Sequence, residues 1–334
     1  MTQSDYYTSP CRAAKHFLMV TFGCLASLLL HAQIGFAQAV RPMTVSVSSP
    51  REISAAPMLL AKHLGFFKEE GLDPRFVVMS SDIAMKGLIT GDLDFAASVS
   101  SVVRAAAVGI PVKTVMNFFE GSFFYLMTKP EIAKVDQLRN KTIAISRYGS
   151  ATDFDTKGAL RHFGFDPAKD VSILAVGGGT ARIAGLISGR VDAALLNNVE
   201  KLAAEKAGMK ALIFTGQYVK QPVGGMGTSV ERLKQRRDEI RRGLRATLRA
   251  AAVMQKERNR TKAFLVEALD VKPEHTDGIY EDILKVFLPN GKIDLKHLAG
   301  TYDDARKQLS HSPPMPVSAL VDYSLLDEIS ASPR

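Results

Sequence analysis

Gly87-Leu88-Ile89-Thr90-Gly91-Asp92-Leu93-Asp94-Phe95-Ala96 returns 98 positions later as Gly185-Leu186-Ile187-Ser188-Gly189-Arg190-Val191-Asp192-Ala193-Ala194, with six of the ten positions identical. The same offset lays Thr44-Val45-Ser46-Val47-Ser48 on Thr142-Ile143-Ala144-Ile145-Ser146. Two separate segments recurring in one register mark a duplicated unit. Each copy reads as an apolar strand, a helix, a second strand and a second helix, then a Gly-x-x-Asp turn into a third strand. Strands alternating with helices of this length pair in parallel through right-handed crossovers, with helices covering both faces. The expected fold is therefore α/β, with two parallel-sheet lobes and a cleft between them.

A chain of 334 residues has room for two such lobes. Its first 39 residues differ from the rest. Arg12 and Lys15 precede an apolar run from Phe17 to Leu30, and the small residues Gly35, Ala37 and Ala39 follow. That is the pattern of a secretory signal peptide, cut after Ala37 or Ala39. The run of about fourteen residues is shorter than the ~20 that a bilayer-spanning helix needs. Both cysteines, Cys11 and Cys24, fall in this leader, so the mature chain is expected to hold no disulfide and no thiolate metal site. Thr21-Phe22-Gly23 lacks the small-residue box of a lipid-attachment site at Cys24. The expected location is the periplasm. A net charge of +9 favours, in an exported protein, small anions or a membrane surface over nucleic acid.

Two β segments read as crossings between the lobes: Phe123 to Thr128, and the glycine-laden Pro222-Val223-Gly224-Gly225-Met226-Gly227-Thr228. Together they make a hinge. The expected division is a leader at 1–39, lobe one at 40–126, lobe two at 127–225, and a return to lobe one with C-terminal helices at 226–334. Ser229 to Arg260 reads as one long basic helix, with Leu233, Ile240, Leu244, Leu248, Ala251 and Met254 near one face and Arg236, Arg237, Arg241, Arg242, Arg245 and Arg249 crowding it. No aromatics interleave these arginines, so the run reads as a solvated helix face.

Gly65-Phe66-Phe67-Lys68-Glu69-Glu70-Gly71-Leu72, the Gly87–Ala96 stretch, Lys141–Ser146 with Gly149-Ser150, and Ala184–Leu196 follow one another in an order and spacing that resembles the solute-binding proteins of ABC importers. The resemblance is to the sulfonate, taurine and thiamine-precursor (NMT1/THI5-like) branch and covers most of residues 44–260. It implies two α/β lobes joined by two strands, closing over a solute that is delivered to a membrane permease. The chain departs from the thiamine-precursor binders in lacking cysteines beyond the leader, and from many relatives in lacking tryptophan, which makes a pyrimidine ligand less attractive.

In open α/β sheets ligands bind beyond the carboxyl ends of the strands. That rule selects Ser49, Arg51, Glu52 and Ile53 after the first strand, Ser98 and Ser100 after the third, and Phe119 and Glu120 after the fourth. In lobe two it selects Arg147, Gly149, Ser150, Ala151 and Thr152, then Gly179 and Thr180, then Asn197 and Asn198. Helix N-termini present unpaired N–H groups, so Ser150-Ala151-Thr152 and Gly179-Thr180 are candidate cradles for a carboxylate or sulfonate; capping of their own helices is the competing use of Ser150 and Thr152. Arg51 and Arg147 offer bidentate guanidinium groups, and Glu120 suits either an amine or an ion pair.

The run Gly177-Gly178-Gly179 is no dinucleotide fingerprint, because the third glycine of that motif would fall at Arg182. His63, His162, His275, His297 and His311 show no zinc spacing, and no Gly-x-Ser-x-Gly elbow occurs. The expectation is therefore a monomeric binding protein rather than an enzyme, without cofactor or metal. It would capture a small organic anion and hand it to an inner-membrane permease, with no nucleic-acid partner. The alternatives are a pyrimidine- or thiamine-precursor-related enzyme or binder, and a sensor receptor of the same fold.

Overall fold

The first strand, β1 (Arg41–Val47), buries Met43, Val45 and Val47 on one face, at the spacing of two that a strand imposes, and Ser46 on the other. The computed structural model describes residues 40–307 and 314–332. The leader read at 1–39, with its two cysteines and its cleavage sites, lies outside the described residues, as does His311.

Lobe one continues through α1 (Ala56–His63), α2 (Phe66–Glu69), β2 (Leu72–Val78), α3 (Ser81–Thr90), β3 (Phe95–Ala96), α4 (Val99–Ala107) and β4 (Val112–Gly121). The chain then crosses through β5 (Phe124–Thr128) into β6 (Thr142–Ile145), α5 (Ala151–His162), β7 (Ser172–Ala175), α6 (Gly179–Ile187), β8 (Ala193–Asn197), α7 (Asn198–Lys206) and β9 (Lys210–Phe214). Strand β10 (Lys220–Ser229) returns to the first sheet.

The two sheets have the same topology, β2-β1-β3-β10-β4 and β7-β6-β8-β5-β9. In each, the first three strands are parallel, and the strand arriving from the other lobe sits fourth and runs against both neighbours. The expected parallel strands thus form the body of each lobe, and one antiparallel strand, arriving from the other lobe, is added to each. The reason is directional. Strand β4 ends where its sheet meets the other lobe, and β5 starts after two intervening residues, so β5 must run away from the edge toward which β6, β7 and β8 run. The same holds for β10.

The duplicated stretch makes one turn twice. Gly91 and Gly189 sit at φ 84° and 74° just after α3 and α6, a conformation that a side chain strains. Leu93 N–H then bonds the Gly87 carbonyl (3.0 Å) and Val191 N–H the Gly185 carbonyl (3.2 Å). Asp94 Oδ2 accepts from Thr44 N–H at 2.7 Å, and Asp192 Oδ2 from Thr142 N–H at 2.9 Å. Each aspartate pins the third strand of its lobe to the first.

The expected single basic helix is three: α8 (Val230–Gln235), α9 (Arg237–Lys256) and α10 (Arg258–Glu267). Helix α9 buries Ile240, Leu244 and Met254 together with the small Gly243, Ala246 and Ala250, which lets it lie close on α1 and α2. Its arginines are fastened to acids. Arg245 grips the Glu70 carboxylate with two nitrogens, Arg249 bonds Glu69 (2.5 Å), and Arg242 donates to the Glu70 carbonyl (2.7 Å). The charge run is a clamp on the Phe66–Glu70 corner.

The remaining helices, α11 (Thr276–Val286), α12 (Ala299–Arg306) and α13 (Ser324–Ala331), belong to a C-terminal segment that covers the outer edge of β4. Leu288 N–H bonds the Phe118 carbonyl (2.8 Å), Asn117 N–H the Gly291 carbonyl (2.8 Å) and Asp322 N–H the Thr114 carbonyl (2.9 Å), so that edge is not left open. No helix among the described residues is long and apolar enough to cross a membrane.

Candidate functional site

A pocket of about 310 Å³ lies where the two lobes and both crossings meet. Lobe one supplies Glu52, Ser54, Ser98, Ser100 and Arg104; lobe two supplies Arg147, Gly149, Ser150 and Ala151. The crossings supply Ser122 and Phe124 on one side and Gln221, Pro222, Val223 and Gly224 on the other. An outer cleft of about 1410 Å³ shares Arg104, Gly149 and Ser150 with this pocket and opens between α3, α4, α5 and α12.

On the lobe-two side the wall is the turn from β6 into α5. Ser150 Oγ accepts from Asp153 N–H (3.4 Å), and Gly149 N–H donates to Asp153 Oδ2 (2.8 Å). Ser146 Oγ stands 3.0 Å from Ser150 Oγ and 2.9 Å from Thr152 Oγ1. Ser150 is therefore a helix cap, and the knot of hydroxyls holds the N-terminal end of α5 at the pocket rim.

Charge in the pocket is one-sided. Glu52 is the one carboxylate among the described residues of its lining, and its two oxygens are turned into its own loop, one accepting from Ser48 N–H (2.8 Å) and the other from Ser54 Oγ. Arg104, on α4, and Arg147, after β6, are exposed and have no acidic partner among the described residues. Two guanidinium groups, one from each lobe, beside the positive end of a helix, can hold an anion by charge-assisted hydrogen bonds.

Beneath the pocket floor lies Asp155, fully buried on α5. Its Oδ1 accepts from Ser122 Oγ (2.8 Å) and its Oδ2 from Gln221 Nε2 (3.1 Å). Burial pushes its carboxyl up to about 7, against the opposing pull of hydrogen bonds from Ser122, Gln221 and Thr215.

Of the residues selected from the sequence, Glu52, Ser98, Ser100, Arg147, Gly149, Ser150 and Ala151 come together in the pocket. The others go elsewhere. Ser49 is exposed on the loop outside the lining, and Arg51 pairs with Asp270 at the surface. Ile53 starts a 3-10 turn (Ile53–Ala55) and packs on the core. Phe119 is wholly buried, edge-on to Phe118 and Phe123, because the C-terminal segment covers β4. Glu120 bonds Lys220 (2.8 Å), and Thr152 is buried with its hydroxyl accepting from Ser146 N–H (2.9 Å).

The second expected anion cradle, Gly179-Thr180, has a carboxylate packed against it. A Cβ at Gly179 would run into the Glu200 side chain, which also accepts from Arg182 Nη2 (3.1 Å) and from Asn197 N–H (2.9 Å). Asn197 Oδ1 caps α7 through the N–H groups of Val199 (3.0 Å) and Glu200 (2.8 Å), and Asn198 is buried.

Sequence reasoning missed Arg104, Ser54 and the crossing residues that face the pocket. Arg104 lies four positions beyond Ser100, on the same face of α4, so extending the helix-end rule by one turn finds it. The crossings read as a hinge, and nothing in their composition says that a hinge is also a wall.

The family model described as NMT1/THI5 like matches residues 52–260. Among curated proteins, YtlA of Bacillus subtilis is 26% identical over 166 residues, covering 47% of this chain and 50% of that protein. The riboflavin-binding protein RibY of Chloroflexus aurantiacus is 26% identical over 223 residues, covering 64% of this chain and 62% of that protein. The chain thus spans about half to three fifths of the length of these relatives. Among solved structures, the periplasmic sulfonate-binding protein SsuA from Methylobacillus flagellatus KT superposes with a TM-score of 0.71 at 16% identity, covering 87% of this chain and 94% of that one. At that identity the likeness establishes the fold, and the fold is that of periplasmic binding proteins.

Proposed function

Since the chain belongs to the NMT1/THI5-like family, and RibY and SsuA, which it resembles, are named as solute-binding proteins, we propose that it is the solute-binding component of an ABC importer, exported to the periplasm and specific for a small organic anion of the sulfonate or carboxylate class. One observation carries the anionic reading: Arg104 and Arg147 enter one pocket from opposite lobes, and the single carboxylate in the lining is spent on its own loop. A hydrogen bond to a charged group is worth about 1.5–3 kcal/mol, so two arginines suffice to make binding depend on the anionic group. On this reading the protein binds its solute and releases it unchanged to the permease.

Thermal-shift screening followed by calorimetry tests the proposal, with ethanesulfonate, butanesulfonate, benzoate, nitrate and riboflavin as probes. A ligand at a hundred times its Kd stabilises by ~2.7 kcal/mol, well within detection. A sulfonate or carboxylate should bind, and Arg104→Ala and Arg147→Ala should each weaken it. Binding of riboflavin alone, unchanged in both variants, overturns the anionic reading, and chemical conversion of a bound probe overturns the transport reading.

A further inference from the structure

We propose that Asp155 fastens the two interlobe crossings to each other in its neutral form, and that ionisation releases them, so that the hinge of this protein is set by a proton. The chain passes between its two sheets twice, at Gly121–Phe123 and again along Thr215–Gln221. Asp155, on the inner face of α5, touches both passages through Ser122 and Gln221. Thr215 closes the arrangement, its hydroxyl donating to the Phe124 carbonyl (3.1 Å) and lying 3.3 Å from Ser122 Oγ.

The junction is built without spare room. A Cβ on Gly121 would strike the Gly216 backbone, one on Gly216 would strike the Ser122 carbonyl, and one on Gly158 would press on Val219. Water therefore cannot reach Asp155 in this arrangement, and its exposure is zero.

No cation among the described residues bonds to it. On α5 itself Asp153 and Lys157 pair with each other (2.8 Å), while Arg161 and His162 are exposed at its far end, where His162 stacks on Tyr218 of the second crossing (4.7 Å between ring centres). At the ends of β4 and β10, Glu120 takes Lys220 (2.8 Å), with His297 at 3.2 Å. On β5 and α11, Tyr125 donates to Asp282, which also pairs with Lys285 (3.0 Å). Strands β6 and β8, and the turn Thr215–Gln217, carry no ionisable side chain. None of these charged groups bonds to Asp155. A carboxylate served by neutral donors alone is costly to ionise, whereas the neutral acid has an O–H that the Gln221 amide oxygen or the Ser122 hydroxyl can accept. The upward shift of its carboxyl, to about 7, places the change near neutrality. Ionised Asp155 favours whatever arrangement of the crossings admits water.

Hydrogen–deuterium exchange read by mass spectrometry on the full chain, without any solute, measures the effect, so its outcome is separate from that of the anion site. Rates are corrected for intrinsic base catalysis, with peptides over 118–124 and 218–224 compared against a peptide over β1. Wild-type protection of the two crossings should fall about tenfold from pH 6 to pH 8, the factor expected when a group titrating near 7 ionises. Asp155→Asn should show equal protection at both pH values. Ser122→Ala, which removes a donor to the ionised form, should move the midpoint to higher pH. A wild-type pH response absent or no larger than that of the β1 peptide, or a response unchanged in Asp155→Asn, overturns the proposal. If Asp155→Asn does not fold, an unmoved midpoint in Ser122→Ala overturns it.

Discussion

Lobe one and lobe two share a frame and only part of a site. Strand for strand they repeat at an offset of 98, down to the aspartate that pins the third strand to the first at 2.7 Å in one and 2.9 Å in the other. Both lobes meet the pocket with the turn after their first strand, Glu52 and Ser54 in one and Gly149, Ser150 and Ala151 in the other, but only lobe one adds the helix after its third strand, α4, with Ser100 and Arg104. The difference lies in how the helix ends are filled. Helix α7, the lobe-two counterpart of α4, closes its first turn with Asn197 and Glu200, whereas Ser98 makes no cap bond to α4 and is left facing the pocket. A duplicated frame supplies equivalent positions, and the local capping chemistry decides which of them a ligand can reach.

The pins differ too. Asp94 pairs with Arg232 (2.6 Å), whose side chain is only 8% exposed, while Asp192 pairs with Lys129 (2.9 Å), which is 20% exposed. Burial raises the pKa of Asp94, with the Thr44 N–H and Arg232 opposing it; at Asp192 burial also pushes upward, but bonds from the Thr142 N–H and Lys129 prevail and the net shift is downward. The largest expected effect follows. Asp94→Ala should cost about 3 kcal/mol or more because it strands a buried guanidinium, and Asp192→Ala about 1–2 kcal/mol because Lys129 can turn to water. Urea unfolding midpoints measure both, and equal losses would break the comparison.

Next in size are the pocket arginines. Arg104→Ala and Arg147→Ala should each weaken a bound organic anion about tenfold or more, read by calorimetry. A loss confined to one of them would assign the anion to a single lobe.

A third effect belongs to lobe two alone, since the position in lobe one equivalent to Asp155 is Pro57. The Asp155 carboxyl lies above its ordinary value of 3.8, at about 7, so the folded state holds a proton that the unfolded state releases. Its contribution to stability is complete below about 4 and is lost as pH rises toward 7. Unfolding midpoints for wild type should carry this downward slope between pH 4.5 and 7, and Asp155→Asn should lack it. A slope unchanged in Asp155→Asn would place its source elsewhere.

The smallest contrast concerns the two serine caps. Ser150 accepts a bond from its own helix and Ser98 does not. Ser150→Ala should therefore cost about 1 kcal/mol of stability, and Ser98→Ala a few tenths. Thermal unfolding of the two variants sharpens or removes the distinction.

The register of the repeat made the two lobes, the succession of strands and helices along each copy and the turn at Gly91 and Gly189 legible in the sequence, because hydrophobic alternation, left-handed glycines and an aspartate before a strand are local signals. Seven of the pocket residues were legible for the same reason: they follow strands. What stayed hidden depends on partners far along the chain. Nothing near Glu120 names Lys220, nothing near Gly179 names Glu200, and nothing near Phe119 tells that a C-terminal segment covers β4. The arginines of α9 read as a solvated face until the fold brings Glu69 and Glu70 against them. Local chemistry determined which elements form and where strands end; only the tertiary structure decided which polar groups find each other, and thus which of them remain free for a ligand, because that choice is made by contacts between residues a hundred or more positions apart.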